Sequence, residues 1–329
     1  MVRLQLKDID KSYGPTHALC DFSFTFEPGI YALLGPNGSG KSTLMNIVSD
    51  NIPADGGTIL FSKDGSPETD VREMNERFRQ ELGYLPQDPV FYPSFSVERF
   101  MWYMAALKRA NGQLHGKAGR LAVSSQIDTL LRAVELDQVR RFPISSLSGG
   151  MKQRLGIAQA ILGNPSVILL DEPTAGLDPK QRVNIRNYIS KISQDRIVIL
   201  ATHIISDIEQ SARDILILKN GILVDHGSSH ELTQKMQGRV WIAQIPESRV
   251  DIMADRFRIT GISQIGKPEE KMFSVRLIAT EKPTEYALPE QPSLEDYYLD
   301  VFGDESDLSK SRQKTPTSAS GGMNASSFL

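Results

Sequence analysis

Residues 35–43 read Gly-Pro-Asn-Gly-Ser-Gly-Lys-Ser-Thr, and this stretch decides which fold the chain is expected to adopt. It matches the pattern G-x-x-x-x-G-K-[ST], a loop whose backbone N–H groups surround phosphate oxygens. An apolar run at 30–34 precedes the loop, and a helical pattern begins near Lys41. Glycines allow a close approach of the backbone, and the start of the helix points its positive dipole end at the phosphates. The stretch therefore predicts a phosphate site formed by Gly35, Pro36, Asn37, Gly38, Ser39, Gly40, Lys41, Ser42 and Thr43.

A second stretch, residues 167–172, consists of four apolar residues followed by the two acidic residues Asp171 and Glu172. A buried strand that delivers carboxylates at its C-terminal end is typical of the ligand-binding edge of an α/β sheet. We expect Asp171 to hold Mg²⁺ through water, and the hydroxyl of Ser42 to be an oxygen ligand of the same ion. We expect Glu172 to polarise the attacking water as a general base, while Lys41 brings a positive charge to the outer phosphates.

A third motif, Leu-Ser-Gly-Gly at 147–150, stands at the start of a helical pattern. Its serine and two glycines, Ser148, Gly149 and Gly150, predict a second backbone nest for an anion. Considered alone, the same residues also fit an ordinary helix N-cap with a flexible approach. The phosphate loop and the Asp-Glu strand in the same chain favour the anion nest.

The composition excludes several classes of protein. The chain has 329 residues, of which 40% are hydrophobic and 23% charged, so it can bury a full core without disulfides. Cys20 is the only cysteine, which predicts a reducing compartment. A net charge of −3 offers no general cationic surface, and we expect no nucleic acid partner. No signal peptide is recognised, and the apolar runs are far shorter than the ~20 residues that span a bilayer, so we expect a cytoplasmic protein.

The order of the patterns predicts an α/β fold with a mostly parallel sheet. Alternating polar and apolar residues indicate an antiparallel β portion before the phosphate loop. Helical periods dominate residues 88–162, which predicts an inserted helical subdomain, and apolar strands alternate with helices up to about residue 230. The remainder predicts a small α+β accessory domain at 231–303 and a disordered tail, rich in Ser, Gly and Thr, at 304–329.

In this order, the motifs resemble those of the nucleotide-binding subunits of ATP-binding-cassette (ABC) transporters over about residues 1–230. The phosphate loop is similar to the Walker A loop of that family. Residues 147–154 resemble its signature, and residues 167–173 resemble its Walker B strand. The resemblance implies a P-loop NTPase core that binds ATP and Mg²⁺ and hydrolyses ATP.

The same resemblance implies roles for four single residues. Tyr13 matches the aromatic residue that stacks on adenine, and Gln87 matches the Q-loop glutamine that contacts nucleotide and metal. Asp178 matches the D-loop carboxylate, and His203 matches the switch histidine, a γ-phosphate contact with a catalytic role. Met151 departs from the family pattern, because many members have glutamine there.

The resemblance also implies that two such domains face each other head to tail, with each nucleotide between one Walker A loop and the opposite signature. Because each motif occurs once in this chain, a second ATPase chain must supply the other set. A two-fold homodimer fits this requirement, and so does a pair with a different ATPase subunit. ATP would bridge the dimer, and hydrolysis would let it open.

A separate membrane-spanning permease is the other implied partner, and it would hold the chain at the inner face of the cell membrane. Residues 88–108 are rich in aromatic side chains and are the candidate docking segment, although they also fit the core of the helical subdomain. The motif order and residues 293–303 look most like ATPase subunits of ABC-2-type exporters, which commonly serve drug, antibiotic or peptide efflux. Two alternatives are an ABC-type ATPase that acts as a mechanical switch on ribosomes or DNA, and an importer ATPase. The first usually has two cassettes or long coiled coils, and neither feature is present in this sequence. The second often has a C-terminal regulatory barrel, and the short αβ appendage disfavours it.

Overall fold

The computed structural model describes residues 1–108, 116–267 and 271–303 of the chain. Residue contacts divide the chain into two compact units, Met1–Leu232 and Thr233–Leu329. The disordered tail expected at 304–329 lies outside the described residues. Among the described residues, no helix has the length and the apolar character that a bilayer crossing requires.

The described strands of the first unit form two sheets. In chain order they are β1 (Arg3–Tyr13), β2 (Thr16–Phe26), β3 (Gly29–Leu34), β4 (Gly56–Ser62), β5 (Thr69–Asp70), β6 (Leu82–Leu85), β7 (Val167–Asp171), β8 (Ile197–Ala201), β9 (Asp214–Lys219) and β10 (Ile222–Gly227). Strands β2-β1-β4-β5 form an antiparallel sheet. Strands β10-β9-β3-β8-β7-β6 form the second sheet, in which all neighbours are parallel except β10 and β9. The α/β fold class with a mostly parallel sheet is confirmed.

The helices of the first unit include three that follow one another between β6 and β7. In chain order the helices are α1 (Lys41–Val48), α2 (Val71–Met74), α3 (Glu76–Gln80), α4 (Val97–Leu107), α5 (Gly116–Ala133), α6 (Gly149–Ile161), α7 (Pro179–Ile192), α8 (Ile205–Ile208) and, reaching into the second unit, α9 (Ser229–Gln234). Helices α4, α5 and α6 form the helical insertion that the sequence predicts within 88–162.

Burial explains why the central strands contain almost no polar residues. Every residue of β7 and of β8 is buried, as expected for strands covered on both faces. One apolar cluster joins the two sheets and α1, and it includes Leu4, Phe22, Leu33, Leu44 and Leu169. Because β3, β7 and β8 are parallel neighbours, their C-terminal ends meet at one edge of the sheet, where the phosphate loop also begins.

Strand β6 is a feature that the sequence patterns do not reveal. Residues 63–87 read as a polar connection, yet the structure places β5, α2, α3 and β6 there. Strand β6 has only four residues and includes Gly83, where a Cβ would lie 2.0 Å from the carbonyl oxygen of Ala160 in α6. The strand is therefore shaped by the helix that packs on it, a long-range contact that local periodicity does not contain.

In its described part, 233–267 and 271–303, the second unit contains one antiparallel sheet and two helices of more than one turn. Its elements are β11 (Val240–Pro246), α10 (Val250–Arg256), β12 (Arg258–Ile265), β13 (Met272–Ile278), β14 (Leu288–Pro289) and α11 (Leu294–Phe302), and the strand order is β12-β13-β11-β14. Asp296 is 1% exposed, caps α11 together with Ser293, and accepts hydrogen bonds from Arg276 and Thr260. A buried carboxylate with this many donors fixes α11 on the sheet.

Candidate active site

A cleft of about 250 Å³ lies at the C-terminal edge of the parallel sheet. Its lining includes residues from the phosphate loop, from the end of β7 and from β1, which are far apart in the sequence. The lining residues are Tyr13, Thr16, Ala18, Asn37, Gly38, Gly40, Lys41, Ser42, Thr43, Gln87, Asp171 and Glu172. Nine of the residues expected to bind nucleotide or metal are in this set, so the fold brings most of the predicted site together.

At two positions of the phosphate loop, the backbone of a neighbouring strand lies so close that only glycine fits. Gly40 has a φ of 106°, and a Cβ there would lie 2.5 Å from the carbonyl oxygen of Ala18. A Cβ at Gly35 would lie 2.3 Å from the carbonyl oxygen of Leu218. Any larger side chain at either position would displace the loop from the strands that hold it.

Lys41 begins α1 and is folded over the loop. Its Nζ donates hydrogen bonds to the carbonyl oxygens of Gly35 at 2.7 Å and Pro36 at 2.9 Å, and to Oγ of Ser39 at 3.3 Å. Burial lowers the pKa of Lys41, while the carboxylates of Glu172 and Asp171 act in the opposite direction. A phosphate entering the loop would therefore meet a desolvated cation that is already in place.

Asp171 and Ser42 offer the oxygen atoms that a Mg²⁺ site needs. Asp171 is 4% exposed, and its carboxylate accepts a hydrogen bond from the exposed hydroxyl of Ser42. Burial raises the pKa of Asp171, although the Ser42 hydrogen bond and Lys41 partly counter this effect. A buried carboxylate gains from a cation beside it, and both groups are hard oxygen ligands, so these residues fit Mg²⁺.

Glu172 and His203 are in direct contact across the ends of β7 and β8. Nδ1 of His203 lies 2.8 Å from Oε1 of Glu172, and the hydroxyl of Thr202 donates to Oε2 of Glu172 at 3.4 Å. Glu172 has a φ of 48°, an uncommon value for a residue other than glycine, and its N–H donates to the carbonyl oxygen of Ala201. The strained turn directs a carboxylate into the cleft while its side chain stays 14% exposed.

Tyr13 and Gln87 line the cleft from two other directions. Tyr13 ends β1 and is 51% exposed, with Nζ of Lys11 at 5.6 Å from the centre of its ring. An exposed aromatic face at the mouth of the cleft is suited to stacking on a nucleotide base. Gln87 is exposed, follows β6 and lines the same cleft as the two carboxylates.

The signature and D-loop residues lie outside this cleft. Ser148, Gly149, Gly150 and Asp178 are not among the described residues that line it. Ser148 is the N-cap of α6 and accepts from the N–H of Met151 at 3.3 Å, and Asp178 is the N-cap of α7 and accepts from the N–H of Gln181 at 2.9 Å. The helix start predicted at the Leu-Ser-Gly-Gly motif is present, and Ser148 and Asp178 are both exposed. The Ser148 nest is therefore available to a ligand outside this chain's own cleft.

Two residues that support Glu172 were not recognised from the sequence. The side-chain amide of Gln153 donates to the backbone carbonyl oxygen of Glu172 at 2.8 Å, and Thr202 contacts the carboxylate as described above. Gln153 lies four residues after Gly149, on the same face of α6, and is 9% exposed. The feature of the sequence that could have revealed Gln153 is a glutamine on the buried face of a helix, because a buried side-chain amide needs a hydrogen-bond partner.

Comparison with known proteins places the chain among ATP-binding cassettes. Residues 19–175 match the family model described as "ABC transporter". The chain is 33% identical to the ABC transporter ATP-binding protein YxlF of Bacillus subtilis, over 74% of this chain and 77% of that protein. It is 29% identical to the Nod factor export ATP-binding protein I of Rhizobium etli, over 93% of this chain and 95% of that protein. It is 32% identical to the lantibiotic transport ATP-binding protein SrtF of Streptococcus pyogenes, over 67% and 89%.

Solved structures give the same result. The ATP-binding subunit of an ABC transporter superimposes with a TM-score of 0.62 at 25% identity, covering 70% of this chain and 92% of that one. A dimeric ATP-binding cassette in a post-hydrolysis state, bound to ADP and phosphate, superimposes with a TM-score of 0.59 at 25% identity, covering 68% and 98%. With the phosphate loop, the carboxylate pair and the signature all in place, the chain belongs to the ABC transporter family as an ATP-binding subunit, and it is an ATPase.

Proposed function

We propose that this ATPase powers export through a separate membrane permease, and that two copies of the chain form the active ATPase dimer. The relatives named for Nod factor export and lantibiotic transport support the export direction. By analogy with them, the cargo would be a drug-, antibiotic- or peptide-like molecule. In this proposal Met1–Leu232 is the ATPase domain, and the second unit is an accessory domain.

The observation that carries the dimer proposal is the separation of the two halves of the site within one chain. The cleft holds the phosphate loop, Asp171 and Glu172, whereas the signature nest at Ser148 is no part of its lining. An ATP molecule in this cleft therefore needs a signature from another molecule to enclose its γ-phosphate. A second copy of the chain arranged about a two-fold axis would supply it, and would receive the same contact in return.

The chain's own residues suggest how hydrolysis would proceed. Lys41 and the N–H groups of the loop would hold the β- and γ-phosphates. Gln87 would contact the nucleotide and its metal ion at the γ-phosphate. Mg²⁺ bound by Ser42 and Asp171 would neutralise charge on the phosphate oxygens. A carboxylate oxygen of Glu172 would accept a proton from the attacking water, while Nδ1 of His203 would keep that carboxylate in position.

Residues 88–108 are the proposed docking segment for the permease. Val90 is 91% exposed and Tyr92 is 47% exposed, in a stretch that is rich in aromatic residues. The ring of Tyr92 stacks on Phe95 at 5.0 Å and meets Tyr103 edge-on at 5.2 Å. This cluster is ordered by its own aromatic contacts, so it offers a preformed apolar surface to a helix of the permease.

Recovery of the intact transporter tests the permease part of the proposal. The tagged chain would be purified in mild detergent from membranes of its own cells, and co-purifying proteins with several membrane spans would be identified. Reconstituted into vesicles, the complex should hydrolyse ATP, and the same complex carrying K41A should be inactive. Recovery of ribosomes or of the chain alone would contradict a transport function.

Light scattering tests the proposal that two copies of the chain form an ATP-dependent dimer. E172Q should retain Mg-ATP binding but hydrolyse it very slowly, so an ATP-dependent dimer should accumulate. The variant E295Q, at an exposed carboxylate of α11, is the control and should hydrolyse ATP normally. A monomeric E172Q protein under saturating ATP would contradict the proposed dimer.

A further inference from the structure

The position of His203 is not fixed by burial of its own side chain. The imidazole is 69% exposed, yet its Nδ1 stays at 2.8 Å from the carboxylate of Glu172. An exposed side chain loses rotational freedom when it is held in one geometry, so other contacts must place its backbone. His203 lies between the end of β8 and α8, and α8 is a single turn whose N-cap residue makes no side-chain hydrogen bond.

A second, buried hydrogen bond joins the same two segments of chain. The hydroxyl of Thr174 donates to Oδ2 of Asp207 at 2.5 Å, and the two residues are 3% and 8% exposed. Thr174 lies two residues after Glu172, and Asp207 lies in α8, four residues after His203. The Thr174–Asp207 bond thus joins the same two segments as the contacts of His203 and Thr202 with Glu172.

Neighbouring contacts make this buried link the centre of a small network. The guanidinium of Arg186, in α7, donates to the carbonyl oxygen of Ser206 at 3.0 Å. Oγ1 of Thr202 accepts from the N–H of Ile204 at 3.0 Å, and the hydroxyl of Ser211 donates to the carbonyl oxygen of Asp207 at 2.9 Å. These bonds hold the backbone of α8, and the Thr174–Asp207 bond ties a residue within α8 to the segment that carries Glu172.

We propose that Thr174 and Asp207 are positioning residues for ATP hydrolysis, whose buried hydrogen bond holds α8 so that His203 stays within reach of Glu172. Neither residue touches the cleft, so both act through His203 and not on the nucleotide. The inference rests on the roles proposed above for Glu172 and His203. A displacement of α8 would lengthen or break the His203–Glu172 contact of 2.8 Å while leaving the residues of the phosphate loop in place.

Steady-state kinetics of two variants at position 174 test this role. T174V keeps the shape of the side chain but removes the hydroxyl, whereas T174S keeps the hydroxyl and is the matched control. We expect T174V to lower kcat about tenfold with KM for ATP changed less than about twofold, because misplacement of a catalytic group affects turnover more than binding. T174S should remain within about twofold of the wild type in both constants. Normal kcat in folded T174V would overturn the proposal.

A double-mutant cycle separates positioning from a general structural effect. H203A alone should reduce kcat, and T174V should cause no further loss in the H203A background, because both act through one contact. If T174V lowers kcat by the same factor in both backgrounds, the buried bond is merely structural and the inference fails while the role of His203 stands. Wild-type turnover in H203A would instead contradict the proposed role of His203, and the inference with it.

Folding of each variant is checked by thermal unfolding. If T174V does not fold, D207L takes its place in the same cycle, since leucine is close to aspartate in size and has no oxygen to accept the Thr174 hydroxyl. The expectations are unchanged: a loss in kcat that disappears in the H203A background supports the proposal, and one that persists overturns it.

Discussion

The side-chain amide of Gln153 donates a hydrogen bond to the backbone carbonyl oxygen of Glu172, with 2.8 Å between the two atoms. Gln153 lies in α6, whose N-terminus carries the exposed Ser148 nest, and Glu172 lies in the cleft of the same chain. In a dimer with shared sites, Ser148 and Glu172 would serve different nucleotides. The Gln153 bond therefore provides a physical link between the two half-sites that one chain contributes.

Removal of this bond should slow turnover without weakening nucleotide binding. Q153L keeps the bulk of the side chain but has no donor for the Glu172 carbonyl. We expect kcat to fall about fivefold, which corresponds to about 1 kcal/mol for one hydrogen bond, with the affinity for ATP unchanged. Q159L is the matched control, at a half-buried position of the same helix. Equal turnover in Q153L and Q159L would contradict a role for the Gln153 bond.

K41A should lose ATP binding and hydrolysis while the protein remains folded. The variant removes the cation and its hydrogen bonds to the carbonyl oxygens of Gly35 and Pro36. Loss of charge-assisted phosphate contacts is expected to weaken ATP binding about 10- to 100-fold, as measured with a fluorescent nucleotide. K191A, at the exposed end of α7, is the control and should bind normally. Wild-type turnover in folded K41A would contradict the role of residues 35–43 as the phosphate-binding loop.

D171N should be more stable than the wild type at neutral pH but inactive. Burial raises the pKa of Asp171, so the folded state loses stability as the pH rises from the ordinary pKa of an aspartate through the raised pKa, and the full loss is present above it. Below the ordinary pKa of an aspartate both states of the wild-type chain are protonated, and the difference disappears. The advantage of D171N in thermal unfolding with a chelator should therefore shrink as the pH falls. D195N, at an exposed carboxylate, should show no such trend, and a pH-independent advantage of D171N would contradict the explanation.

Sequence patterns predict those parts of the fold whose information is local. The phosphate loop is defined by nine consecutive residues, and the apolar runs of β7 and β8 reflect burial on both faces. Strand β6 is not predicted from the sequence, because it has only four residues and one of them is Gly83. The glycine is explained by the close packing of α6, which is a long-range contact. The fold also creates the contact between Thr174 and Asp207, which are 33 residues apart and carry no motif. Such pairs become visible only when the topology brings the ends of β7 and β8 together.

The central claim, that each ATP site is shared between two chains, is tested by mixing two inactive variants. S148R blocks the exposed nest with a large side chain, and E172Q removes the general base. In a mixed dimer, the S148R chain keeps its own Glu172 and faces an intact nest on the E172Q chain. One site is then complete, and the other carries both defects. A mixture of wild type with E172Q, which also contains dimers with one complete site, sets the scale of the expected signal.

Phosphate release is measured against mixing ratio after subunit exchange has been verified. Equal mixing gives mixed dimers in about half of all cases, so turnover should rise from near zero to at most about a quarter of the wild-type value. A maximum near equal ratio is the result that the shared-site account predicts. If Ser148 served the nucleotide of its own chain, both sites of a mixed dimer would remain defective. A flat line at the activity of the separate variants, with the wild-type and E172Q mixture active, would contradict the account.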